Sequence, residues 1–107
     1  MDLLPAELRA QLPALYAQEK NPDPVVHFKL FLTGTNWTWF ITEGQQEEDD
    51  FILFGYVSGL EEEWGYVSLA ELESIRLHGL FSVERDLYFE PGPFSEIIAR
   101  HRKERGG

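Results

Sequence analysis

Glu84-Arg85-Asp86 sets a guanidinium between two carboxylates, in a stretch from Phe81 to Phe89 whose alternate positions otherwise hold Phe81, Val83, Leu87 and Phe89. An arginine in an apolar slot needs a carboxylate partner or an exposed groove. The structural reading is an ion pair. The functional reading is a polar patch in which Arg85, with Asp86 and with Glu71 or Glu73, orients an anionic group. Two acidic runs, Glu47-Glu48-Asp49-Asp50 and Glu61-Glu62-Glu63, offer more carboxylates. The first lacks the alternating ligands and central glycine of a calcium loop, so a solvated acidic loop is the better reading, its charge serving solubility or, alternatively, a basic partner.

The other reactive residue types form no constellation. His27, His78 and His101 stand far apart, and with no cysteine in the chain a transition-metal site has no ligand spacing to rest on. Ser58, Ser68, Ser74, Ser82 and Ser95 include no Gly-x-Ser-x-Gly elbow. Gly55, Gly59 and Gly65 are not followed by the Lys-Ser/Thr pair of a phosphate loop. No catalytic residue, metal or cofactor is therefore expected. Trp37, Trp39, Trp64, Tyr56, Tyr66 and Tyr88 could stack bases, but the basic neighbours of a nucleic-acid surface are missing, which favours core packing or a protein-binding face.

Charge distribution sharpens this reading. The formal net charge is -10, from 19 acidic and 9 basic side chains, and no Lys or Arg occurs between Lys29 and Arg76. Arg100, Arg102, Lys103 and Arg105 crowd the end. Phosphate backbones are bound by Lys and Arg, so direct nucleic-acid binding by the body is disfavoured, and a single-strand role for the basic tail ranks lowest. The absence of cysteine, of a basic and unbroken apolar leader, and of any apolar run near about 20 residues makes the cytoplasm the expected compartment, with no membrane partner.

The elements that must position these residues read as one α+β domain over 1–99, followed by a basic, frayed tail at 100–107. The expected architecture is a small antiparallel sheet of about five strands with an N-terminal helix, a helix after the fourth strand and a short C-terminal helix. Leu4, Leu8 and Leu12 have helical spacing, Pro13 interrupts, and a second helical piece is expected over 14–20. Residues 25–32 read as a strand with Val26, Phe28, Leu30 and Leu32 on one side, and 37–42 as its hairpin partner with Trp37, Trp39 and Ile41 on a face. The acidic stretch 43–50 reads as a loop. Residues 51–57 read as a central strand covered on both faces, paired with 64–67. Ser68-Leu69-Ala70-Glu71 is a capping box opening a helix with Leu69, Leu72 and Ile75 inward, and Gly79 after His78 reads as its terminator. Phe81 to Phe89 reads as the last strand. A helix from Phe94 to Ala99 docks Phe94, Ile97 and Ile98.

Asn36-Trp37-Thr38-Trp39, Asp50 through Val57, Glu63-Trp64-Gly65-Tyr66-Val67-Ser68-Leu69 with Glu71-Leu72, and Glu84 through Phe89 together resemble the domain of unknown function family numbered 2958. The resemblance runs from the leucine-proline opening to Ser95-Glu96-Ile97, leaving the basic tail outside. It implies a bacterial protein, often carried by phages, plasmids and conjugative elements near genes for anti-restriction or DNA processing. It implies no activity and no site residues.

Two functions from different classes follow. The first is a non-enzymatic protein-interaction module whose acidic loops face a basic partner, such as a DNA-binding protein. The alternative is a carboxylate- or metal-dependent enzyme using Glu61, Glu62, Glu63, Glu71, Glu84 or Asp86 with Arg85.

Overall fold

The computed structural model describes residues 2–77 and 79–105. His78, the last two residues of the tail and the initiating Met lie outside them. In chain order the elements are α1 (Ala6–Arg9), β1 (Val25–Val26), β2 (Phe28–Leu32), β3 (Thr38–Glu47), β4 (Asp50–Ser58), β5 (Glu62–Ser68), α2 (Leu69–Ser74), β6 (Arg76–Leu77), β7 (Phe81–Arg85), β8 (Gly92–Pro93) and α3 (Phe94–Glu104). The architecture is the expected α+β arrangement. Among the described residues, one antiparallel sheet has six strands in the order β5-β4-β3-β2-β7-β6, and β1 pairs with β8 in a separate two-stranded ribbon.

Each face of the sheet buries its own core. On the first face, Phe28, Leu30 and Leu32 of β2, Trp39 and Ile41 of β3, Phe51 and Leu53 of β4 and Val83 of β7 pack beneath Leu3, Leu4 and Leu12 of the N-terminal segment and Leu69 and Leu72 of α2. On the second, Phe40 meets Val26, Ile97 and Ile98, with Tyr56, Phe89 and Phe94 around them. Fully burying one such side chain stabilises the fold by about 2 kcal/mol. No helix among the described residues is long and apolar enough to cross a membrane.

Several local expectations are corrected, each for an identifiable reason. Residues 14–20 form turns instead of a helix: Tyr16 has φ 73°, and the Tyr16 and Gln18 amides donate to the Glu43 carboxylate at 2.8 and 2.7 Å. Side-chain capture of backbone amides competes with helical pairing. The strand expected over 25–32 breaks at His27, whose amide bonds the Ile41 carbonyl at 2.8 Å, and the break sends Val26 to the second core instead of the face of Phe28. The acidic stretch 43–50 is not a loop; β3 runs to Glu47 and pairs with β4 up to Glu47 opposite Asp50, with Glu48 turning at φ 57°. β4 has neighbours on both sides but lies next to the sheet's edge strand, with β3 and β2 at its centre.

The last strand ends at Arg85. Asp86 accepts the Tyr88 amide at 2.9 Å, an Asx turn that throws Leu87 and Tyr88 outward, Tyr88 being 93% exposed. Gly79, with φ 71°, serves the turn between β6 and β7, because α2 has already stopped at Ser74. At the other end, α3 continues through Arg100 to Glu104 and does not stop at Ala99. His101, 8% exposed, is the reason: its ring packs edge-on against Phe40 with centroids 5.0 Å apart, anchoring the segment expected to fray.

Candidate functional site

The residues singled out in sequence divide into those that hold the fold and those left free. Arg85 faces the first core's side and donates from Nη1 to the Leu3 carbonyl at 2.6 Å, while Glu73 accepts the Leu3 amide at 3.0 Å. Together they clamp the N-terminal peptide between two charged side chains. Asp86 points to the other face, 3.8 Å from Lys29 Nζ, and Glu71 is exposed on α2, lining a separate recess. Arg85, Glu71 and Asp86 are therefore not brought together.

The acidic residues divide likewise. Asp50 receives the Ser68 hydroxyl and accepts the Ala70 amide at 3.1 Å, completing the α2 cap in which Ser68 Oγ accepts the Glu71 amide at 3.1 Å. The Ser68 hydrogen bond holds the Asp50 carboxyl below its usual range. Glu62 accepts Arg102 Nη2 at 2.7 Å and the Tyr56 hydroxyl at 2.9 Å, with Arg105 at 3.9 Å, and its pKa is lowered first by the Arg102 bond. Glu47, Glu48, Asp49, Glu61 and Glu63 remain exposed. They sit at opposite ends of β4, which spans roughly 27 Å at about 3.4 Å per residue.

Between those ends, on the second face, lies a groove of about 370 Å³ that the sequence reading did not anticipate. A bulge at Thr42 creates it. Pairing runs Phe40 with Tyr56 and Ile41 with Gly55, then skips Thr42 and resumes with Glu43 opposite Phe54. Were Thr42 paired with Phe54 in an unbroken ladder, alternation would place Glu43 on the apolar face of Trp39 and Ile41; because Thr42 is skipped, Glu43 shares the second face with Phe54 and, one strand further, Tyr66. The bulge frees the Thr42 carbonyl, which takes Gln18 Nε2 at 2.8 Å, and the same side chain brackets Val25 through its amide and carbonyl at 2.7 and 3.0 Å. Gln18 thus fixes the loop that walls the groove. An acid interrupting the Trp39–Ile41 alternation is the local signal for it, masked by the acidic run that follows.

The rings lining this groove form one continuous array. Phe54 stacks with Trp64 at 5.7 Å and 13°, Tyr66 tilts onto Phe54 at 4.8 Å, and Tyr16 meets Tyr66 edge-on at 6.3 Å. The Tyr66 phenol is pushed up to about 12, first by its hydrogen bond with Tyr16 and by burial, then by the negative charges of Glu43 and Glu19.

A second unanticipated cluster joins β4 to α3. Ser58 Oγ lies 3.3 Å from His101 Nε2 and accepts Arg105 Nη1 at 2.9 Å. Serine against histidine is the geometry of an activated nucleophile. Here the serine is wholly buried and its oxygen is occupied by a guanidinium, so the pair ties α3 to the sheet. Burial lowers the His101 pKa, helped by the Lys29 and Arg105 charges, against the helix C-terminus that would favour the cation. Burial also lowers that of His27. A folded-state pKa below the unfolded value, about 6.5, means stability is fully present above that value and is lost as pH falls through it toward the lower folded one. The melting temperature is therefore expected to drop between pH 7.5 and 5.5, and less steeply for His101→Gln; equal slopes in thermal melts would exclude His101 as a source. Asp23, lowered by the Ser95 hydroxyl and amide, titrates with Asp50 and Glu62 in a more acidic window.

A family model described as Protein of unknown function (DUF2958) matches residues 3–105, which includes the basic segment that the resemblance had left outside. No curated protein and no solved structure matches the chain.

Proposed function

Since the chain belongs to that family of unknown function, we propose from its geometry that it is a non-enzymatic, cytoplasmic protein-interaction module, whose partner presents a basic surface of the kind found on DNA-binding proteins. One observation carries the reading. β3, β4 and β5, half of the six-stranded sheet, contain no Lys or Arg, and their free carboxylates flank an aromatic groove. Of the cations beside these strands, Arg102 and Arg105 pair with Glu62, and Arg9 lies over the Phe51 ring at 5.7 Å. Such a face attracts cations at long range and speeds encounter, in a salt-dependent way. A DNA-handling protein of a mobile element is the partner class that the family resemblance implies.

The carboxylates proposed for the enzyme alternative point to different faces and recesses, and no observation favours it over the interaction reading. The test neutralises only free charges: Glu47→Gln, Glu48→Gln, Asp49→Asn, Glu61→Gln and Glu63→Gln, leaving Asp50 and Glu62 to their structural bonds. Capture from bacterial lysate at low and high salt is expected to recover a basic protein with the native chain at low salt, weakened at least about tenfold in the variant. Equal capture by both proteins, or none at either salt, would sink the reading.

A further inference from the structure

Glu43 is 4% exposed, yet it lines the groove. Its Oε1 accepts the Tyr16 amide and its Oε2 the Gln18 amide, which leaves an acceptor position open on each oxygen. Buried carboxylates are ordinarily paired with a cation. Among the described residues Glu43 joins no ion pair, and no Lys, Arg or His lines the groove. Glu19 adds a second carboxylate at the rim, and the Trp64, Tyr66 and Tyr16 rings supply electron-rich surfaces beside it. A negative, aromatic-walled recess with an unpaired carboxylate calls for a flat cation.

We infer that this groove receives an arginine side chain from a protein partner, its guanidinium against the Trp64 and Tyr66 rings and its forked N–H groups on the two open acceptor positions of Glu43. The inference rests on the basic-partner reading above and names the residue type that the partner must present. Arginine fits better than lysine for two reasons. Its planar guanidinium stacks on aromatic faces, and its fixed donor fork matches a carboxylate whose oxygens each have one site left. A nucleic acid would bring phosphates into the field of Glu43 and Glu19, which repels them.

The test is an NMR titration of the full chain with capped Gly-Gly-Arg-Gly-Gly, its lysine counterpart and its neutral citrulline isostere. Shifts are expected to centre on the Gln18 and Glu43 amides and the Trp64 indole, with arginine bound about tenfold more tightly than citrulline and more tightly than lysine. Glu43→Gln should abolish the preference over citrulline. Because Glu43 also holds a turn, a second variant keeps the carboxylate and removes exposed rings: Tyr66→Ala with Tyr16→Gly, the glycine suiting the left-handed backbone at 16. It should weaken arginine by a similar factor. Equal binding of citrulline, or shifts centred on the Glu48–Asp49 turn, would overturn the inference. No arginine binding alongside salt-sensitive partner capture overturns the groove alone; failure of both removes the basic-partner reading as well.

Discussion

Gly55→Ala is expected to destabilise the protein by about 3 kcal/mol or more, a large share of the roughly 5–15 kcal/mol that holds a small domain folded. A Cβ at this position would overlap the carbonyl oxygen of Phe40, lie 2.8 Å from its carbonyl carbon and 3.0 Å from Ile41 Cα. These are backbone atoms of the neighbouring strand, so no side-chain rotation relieves the overlap. Gly55 pairs with Ile41 on one side and Gly65 on the other, immediately before the skipped residue, and the closeness of β3 and β4 there is what the bulge requires. Urea denaturation compares the two proteins. Gly65→Ala is the control, because a Cβ there meets nothing within 4 Å. A Gly55 variant as stable as the Gly65 variant would show that the strands can separate without cost.

Gln18→Ala should cost about 2 to 4 kcal/mol, a large effect for a half-buried residue in a turn. Truncation strands the Thr42 carbonyl and both backbone groups of Val25, which lose bonds of 2.8, 2.7 and 3.0 Å. Unsatisfied groups of this kind carry their full desolvation penalty, about 1–3 kcal/mol each, reduced where water can enter. Amide exchange at Val25 should accelerate along with the loss of melting temperature. Gln18→Glu separates the contributions, since it retains an acceptor for the Val25 amide but loses both donations. If Gln18→Ala melts with the native protein, the turn is held by Glu43 alone.

How far the sequence reaches is clear from particular residues. Alternation locates β2 without its break at His27, a continuous apolar run locates β4, and Ser68 is legible as a cap because capping depends on a few adjacent residues. What stayed hidden was set by contacts between distant segments. Nothing local to 14–20 announces that Glu43 will take two of its amides, and Leu15 and Tyr16 alone are compatible with helical spacing. His101 was invisible because its anchorage depends on Phe40 and Ser58, remote in the chain. Arg85 reads in sequence as a charge needing a carboxylate or a groove, whereas its Nη1 donates to a backbone carbonyl, whose position no side-chain pattern encodes. The groove was missed for the same reason: it comes from one unpaired residue, and the charges around that residue resembled solvent-exposed sequence.

Thr42 also separates the register of the sheet from the wall of the groove. Removing this one residue would leave Ile41 opposite Gly55 and Glu43 opposite Phe54, so every side chain before and after it would keep its face. The strand would lose its kink, the spare carbonyl that Gln18 takes and the Thr42 hydroxyl's bond to the Phe54 carbonyl. The register of the sheet and the wall of the groove are thus specified separately, and the wall hangs on the one residue that the ladder does not pair.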